Sequence, residues 1–265
     1  IIATSFISMN NREVNTTIIT IEKGMSLNAV SEMLLDKNVV VNKNIFKLKV
    51  VGRGLASKVP TGKFLIEGKI SDAILIDLIF NKGPMKLKLT IPEGLQSNKL
   101  FDNINILLNT DYDFDQYFKS QKILEKYNIN AKTLEGYLYP NTYYIYHDAS
   151  PEEIIDILLQ EFWTQFDKNF QDRANQLGFS VHEVVTLASI IEGEAMLDSE
   201  RKTISSVYHN RLKINMKLQA DPTIQYIISG PPKALSNRDL RIKSDYNTYQ
   251  NYGLPPGPIN NPGIK

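Results

Sequence analysis

The sequence predicts an α+β protein, a small βα module followed by a mixed, helix-rich α+β domain. Three observations lead there. In the first hundred residues, strand-like runs end at Gly24, Gly68 and Gly94, and each is followed by apolar residues at helical spacing. Beyond Pro151 the helical period extends over much longer runs, separated by polar and Gly/Pro-rich loops. A chain of 265 residues, 42% apolar and 22% charged, can bury one large core or two modest ones. The division is expected near residue 95, giving parts 1–95 and 96–265.

The opening run 1-IIATSFIS-8 is too short to span a bilayer, which takes about 20 apolar residues. It reads as a first strand or as the stump of a removed signal or anchor. Residues 17–21 alternate as a strand, and Leu27, Val30, Met33 and Leu34 recur as a helix. Residues 64–66 form the next strand, and Ser71 opens a helix through Ile74, Leu75, Leu78 and Ile79. Leu87, Leu89 and Ile91 alternate with Lys86 and Lys88, as in a half-exposed strand. That strand runs into Pro92-Glu93-Gly94 and a helix through Leu100, Phe101 and Ile104.

Residues 110–133 are acidic and aromatic, with helical character over 114–127. The stretch holding Tyr137, Tyr139, Tyr143 and Tyr144 reads in large part as a strand with one buried face. Pro151 begins a helix through Ile154, Ile155, Leu158, Phe162 and Phe166, at a first turn where no amide hydrogen is required. Ser180 with Glu183 is a capping box, and Val184, Leu187, Ala188, Ile191 and Ala195 predict the apolar face of the helix it opens. Asp198 and Ser199 predict the cap of a further helix, with Ile204, Val207, Tyr208, Arg211 and Leu212 as its buried stripe. Asp221 predicts the N-cap of a helix over 223–228. Only two residues follow the Pro262-Gly263 turn, so the chain is expected to be incomplete at both ends.

Composition narrows the chemistry. A net charge of +1 with no stripe of interleaved basic and aromatic residues gives no footprint for nucleic acid. Without cysteine there is no disulfide scaffold and no thiol catalysis, although the compartment stays open. His147, His182 and His209 match no ligand spacing, no glycine-rich phosphate loop follows a strand, and Ser189 lacks a nucleophile elbow. No metal or organic cofactor is expected.

What remains is carbohydrate chemistry centred on Glu192. The residue flanks the apolar face of its helix near the C-terminal end, where partial desolvation and the helix dipole both favour a protonated carboxyl group. Cleaving a glycosidic bond requires such a proton for the leaving oxygen. From the helix alone, Glu192 and Glu194 read more simply as solvated residues at a helix end. Around them stand candidate groove residues: Gln219 as a free amide, Asp221, and the Tyr246-Asn247-Thr248-Tyr249 run with its rings and hydrogen-bonding groups. The stiff 253-GLPPGP-258 connector would hold that loop still, or is an ordinary buried turn. Glu135, in the second acidic and aromatic stretch, joins the candidate list.

In four tracts the chain resembles the endolytic murein transglycosylases of the MltG (YceG-like) family: 134-LEGYLYPNTY-143, 188-ASIIEGEA-195, 206-SVYHNRLKINMKLQADPT-223 and 246-YNTYQNYGLPPGPINNPG-263. The stretch 18-IITIEKGMSLNAVSEMLL-35 looks more weakly like the family's LysM-like module. The resemblance implies a bacterial enzyme held in the inner membrane by an N-terminal anchor absent from this chain. It implies action on peptidoglycan outside the cytoplasm, with peptidoglycan synthases as possible partners. It further implies cleavage of the MurNAc–GlcNAc bond without water, leaving a 1,6-anhydro-MurNAc end, with Glu192 as acid and then base. Two alternatives stay open, a non-catalytic peptidoglycan-binding scaffold and a muramidase-type hydrolase with Asp221 or Glu135 as second carboxylate. Gly193 departs from the larger, often basic residue common there, and relatives usually continue past the final turn.

Overall fold

Alternation of β-branched and aromatic residues builds the first sheet. In the computed structural model, which describes residues 11–228, 230–231 and 233–264, β1 (Arg12–Ile21) pairs antiparallel with β2 (Gly62–Ile70). Ile19 stands opposite Phe64 and Ile21 opposite Gly62, and Ile19, Ile21, Phe64 and Ile66 are buried on one face. The opening run of residues 1–8 lies outside the described residues. Between the strands come α1 (Leu27–Asp36), capped by Ser26, and α2 (Lys43–Val51), capped by Asn42. After β2, Ser71 caps α3 (Asp72–Asp77), which runs on through a π-helical turn over Leu78–Lys82 and stops at Gly83. Val30, Leu34, Phe46, Val50, Leu75, Ile76 and Ile79 complete the core of this unit.

The chain forms two units. One holds the described residues up to Leu87 together with Tyr144–Ala149, and the other holds Lys88–Tyr143 and the chain from Ser150 onward. Along the rest run β3 (Lys86–Thr90), α4 (Ser97–Leu108), α5 (Asp115–Phe118), α6 (Gln121–Lys126) and β4 (Thr142–Tyr146), with β3 and β4 paired in a second two-stranded sheet. Then come α7 (Pro151–Gln165), α8 (Lys168–Gln176), α9 (Val181–Glu194), α10 (Arg201–Lys213) and α11 (Asp221–Ile227). The protein is mixed α+β and helix-rich, with small two-stranded sheets. No helix among the described residues is long and apolar enough to cross a membrane.

Four local expectations change. Residues 136–141 form no strand, and only 142–146 do, because Tyr137, Leu138 and Tyr139 are all buried and leave no solvent face to alternate with. The capping box on Ser180 is present, but the buried side of α9 is Val185, Thr186, Leu187, Ser189 and Ile190, turned from the expected face. Hydroxyls hid that side from a hydrophobic count: Thr186 donates to His182 O at 2.7 Å and Ser189 to Thr186 O at 2.8 Å, so both sit inside without an unmet donor. A short 3-10 turn, Asp198–Glu200, precedes α10, and of the expected stripe only Tyr208 is fully buried. Asp221 is not a cap. It lies in the first turn of α11, and its carboxylate faces Tyr249 rather than the helix amides.

Candidate active site

In the second unit the last tract of the chain draws distant segments together. Asn261 bridges to the Gly94-Leu95 backbone: Gly94 N donates to Asn261 O at 2.8 Å and Asn261 N to Leu95 O at 3.1 Å. The Asn261 side chain accepts from Gly136 N and Leu138 N, each at 3.0 Å, and donates to Leu95 O at 2.9 Å. Alongside, Asn260 donates to Ser189 O at 2.8 Å and Ser189 Oγ receives Ile259 N at 3.0 Å, fastening the tract to α9. The 92-PEGL-95 turn and the 260-NNPG-263 tract thereby meet at the C-terminal end of α9.

Glu192 sits where they meet. Its side chain is 9% exposed, and Arg201, 15% exposed at the start of α10, donates through Nη1 to Glu192 Oε2. Gly263 N approaches the same oxygen at 3.5 Å. Arg201 Nη2 reaches Glu93 at 3.4 Å and Asp198 at 3.3 Å. Burial tends to lower the Arg201 pKa, but the hydrogen bond to Glu192, the largest cause, raises it. The last turn of a helix is its negative end, and the guanidinium offsets that field at Glu192. Two glycines lie close against these carboxylates. A Cβ on Gly94, at φ +74°, would come to 3.4 Å of Glu192 Cγ, and one on Gly263 would collide with the Glu93 carboxylate.

The expected groove residues gather in a second cluster. Thr248 ties the two loops together: its carbonyl accepts from Gln219 N at 3.1 Å, and its hydroxyl accepts from Ala220 N and contacts Thr223 Oγ1, both at 2.9 Å. Gln219 is exposed, with φ +48°. Asp221 accepts from the Tyr249 hydroxyl, which Asp221 helps to keep protonated up to about 12, after burial as the main cause. Glu194 is raised above its ordinary range by burial and then by Asp221. Tyr246 is half-buried, its ring 5.0 Å from that of Tyr226. Asn247 is fully buried and donates to Leu240 O at 3.1 Å and Ile242 O at 2.7 Å, so it shapes the loop from within. Glu135 is 4% exposed, and its Oε1 accepts from Ser97 N at 3.1 Å and Ser97 Oγ at 2.9 Å. The connector is held by His182, whose Nε2 donates to Pro256 O at 2.9 Å while Nδ1 accepts from Tyr137 at 2.9 Å.

Sequence reasoning missed Glu93, Arg201 and Gly263. Glu93 stood in a recognised turn but read only as an element boundary, and nothing in a spacing of nine residues links Arg201 to Glu192. At Gly193 a Cβ would come to 2.8 Å of Pro222 on α11, so packing favours glycine there. A cavity of about 580 Å³ lined by Lys126, Tyr127, Gln160, Trp163 and Gln171 includes none of the residues around Glu192.

A two-unit α+β protein with a carboxylate–guanidinium cluster at a helix end is the class that fold and site define. The sequence profile of the YceG-like family matches residues 19–265, and the chain belongs to that family. It is 31% identical to the endolytic murein transglycosylase of Bacillus subtilis (strain 168), over 96% of this chain and 75% of that protein. The endolytic murein transglycosylase of Streptococcus pneumoniae (D39) is 30% identical over 68% of this chain but only 37% of its own length. A crystal structure of a YceG-like protein from Listeria monocytogenes superposes with a TM-score of 0.64 at 30% identity, covering 94% of this chain and 87% of that one.

Proposed function

We propose that this protein is an endolytic peptidoglycan lytic transglycosylase that cuts the MurNAc–GlcNAc bond within glycan strands and leaves 1,6-anhydro-MurNAc ends. The observation that carries the reading is Glu192, the first glutamate of the family's motif, set among Arg201, Glu93 and Asp198. In the proposed reaction a protonated Glu192 gives its proton to the glycosidic oxygen as the C1–O bond breaks and its electron pair passes to that oxygen. Three carboxylates around one guanidinium leave an excess of negative charge, suited to the oxocarbenium-like centre that develops at C1. The sugar's own 6-hydroxyl then attacks C1 and returns its proton to Glu192, so no water is consumed. An intramolecular nucleophile is already in place and needs no second carboxylate to activate water.

The two second carboxylates of the hydrolase alternative differ, one interior and the other exposed and engaged by a tyrosine. Glu135 is interior and clasped by Ser97, and Asp221 accepts from Tyr249. Gln219, Tyr246 and Tyr249 are the groove residues we assign to sugar contact, with Asp221 orienting Tyr249. The first unit, with α1 and α2 between antiparallel strands, is read as a LysM-like module for the same polymer. We extend the proposal to cell wall assembly and elongation at the outer side of a bacterial inner membrane, with peptidoglycan synthases as partners. Glu192→Gln is expected to lower release of anhydro-muropeptides from purified sacculi by about 10²–10⁴-fold, with circular dichroism unchanged. Mass spectrometry of the wild-type products gives anhydro ends. Reducing ends would favour the hydrolase, and binding without cleavage would favour the scaffold.

A further inference from the structure

We propose that Arg201 is the positioning residue of Glu192: held by Glu93 and Asp198, it fixes one carboxyl oxygen, Oε2, so that Oε1 is the oxygen presented to substrate. This rests on the reading of Glu192 as the acid. Both polar approaches to Glu192, from Arg201 Nη1 and from Gly263 N, go to Oε2. The other side of the guanidinium is tethered at Nη2 by Glu93 and Asp198, so Arg201 cannot swing away from α9 without breaking those contacts too. The backbone beside Glu93 is bridged to the 260-NNPG-263 tract, which places its carboxylate within reach of Arg201.

Stability alone is a poor explanation for the arrangement. Ion pairs this sheltered lose in desolvation much of what they gain in attraction. Here the guanidinium also carries a buried Nε with no hydrogen-bond partner, a cost a purely structural arginine would not need. In the other cluster, Tyr249 is bonded to Asp221 rather than to this guanidinium.

The charged groups facing Glu192 are Arg201 itself, with Glu93 and Asp198 behind it, and their signs make opposite predictions. A carboxyl group relieved of a neighbouring cation keeps its proton to higher pH, and one relieved of a neighbouring anion loses it at lower pH. In Arg201→Gln, kcat for glycan cleavage is expected to fall about 100-fold with KM within about twofold of wild type. The alkaline limb of its pH–rate profile should move up. Arg201→Lys should keep the limb near its wild-type place, and Glu93→Gln should move it down. Coincident limbs in wild type, Arg201→Gln and Glu93→Gln, or a loss lying wholly in KM, overturn the proposal. If Arg201→Gln fails to fold, Glu93→Gln carries the sign test, with Arg201→Lys as the variant that keeps the charge. The Glu192 side-chain carboxyl, followed by carbon-13 NMR through a pH titration, should move in the same directions whether or not it is the acid. An unmoved titration therefore sinks the role of Arg201 even where Glu192→Gln is inactive, whereas an active Glu192→Gln sinks the catalytic reading and with it the presentation of Oε1.

Discussion

Glu135 shows what a buried carboxyl group does when its work is structural. Burial pushes it up to about 7 from the ordinary 4.5, against the opposing hydrogen bonds from Ser97 N and Oγ. Its charge in turn is felt by Tyr226 and Tyr246, which are raised first by burial and then by Glu135. A pKa raised on folding means that the folded state binds the proton more tightly than the unfolded chain. The stabilisation is therefore complete below about 4.5 and is lost as pH rises through about 7. Its size is on the order of 3 kcal/mol. Glu135→Gln cannot ionise yet keeps an oxygen for Ser97, so its stability advantage over wild type should grow between pH 5 and pH 8. Urea denaturation at those two pH values measures it, and parallel pH dependences in the two proteins would contradict the assignment.

At the scale of elements, close approach between the 134-LEGYLYP-140 turn and the 253-GLPPGP-258 connector fixes the shape beside α9. Gly136 has φ +87°, and a Cβ there would lie 2.5 Å from Pro258 Cβ and 2.9 Å from Val185 Cγ1. A left-handed conformation costs a non-glycine residue about 1–2 kcal/mol, and forced overpacking adds about 1–3 kcal/mol. Gly136→Ala should thus destabilise the protein by about 2–5 kcal/mol, measured as a fall in Tm, and a change under 1 kcal/mol would mean that the connector yields. The sequence made such elements only partly legible. Caps and amphipathic periods located α1, α7 and α9, because their signals are local. The active side of α9 was misphased, since Thr186 and Ser189 are buried through their own hydroxyl bonds and a hydrophobic count passes over them. Glu192 itself emerged from its motif rather than from its helix. Glu93 is invisible because the Asn261 clasp that brings its segment to Glu192 spans much of the chain, and Arg201 because a spacing of nine residues across a turn matches no local period.

Over the whole molecule, the arrangement of apolar residues gives the first unit a core of its own. Val30, Leu34, Phe46, Phe64, Ile66, Leu75 and Ile79 belong to one cluster, drawn wholly from residues 14–80. A second cluster joins Leu187, Ile190, Tyr208, Leu218, Ala220 and Ile259, and ties α9 to α10, to the start of α11 and to the last tract. Units with separate cores open separately, and local unfolding energies can differ across one chain. Phe64 is fully buried opposite Ile19, and its truncation removes a ring that nothing nearby replaces. Phe64→Ala should cost about 3–5 kcal/mol. In hydrogen exchange, the amides of β1, α1 and β2 should lose protection while those of α9 keep theirs, and cleavage of isolated glycan strands should persist with weakened retention on sacculi. Equal loss of protection in α9 and β2 would show instead that the two cores unfold as one, and the division of labour between binding module and catalytic unit would have to be abandoned.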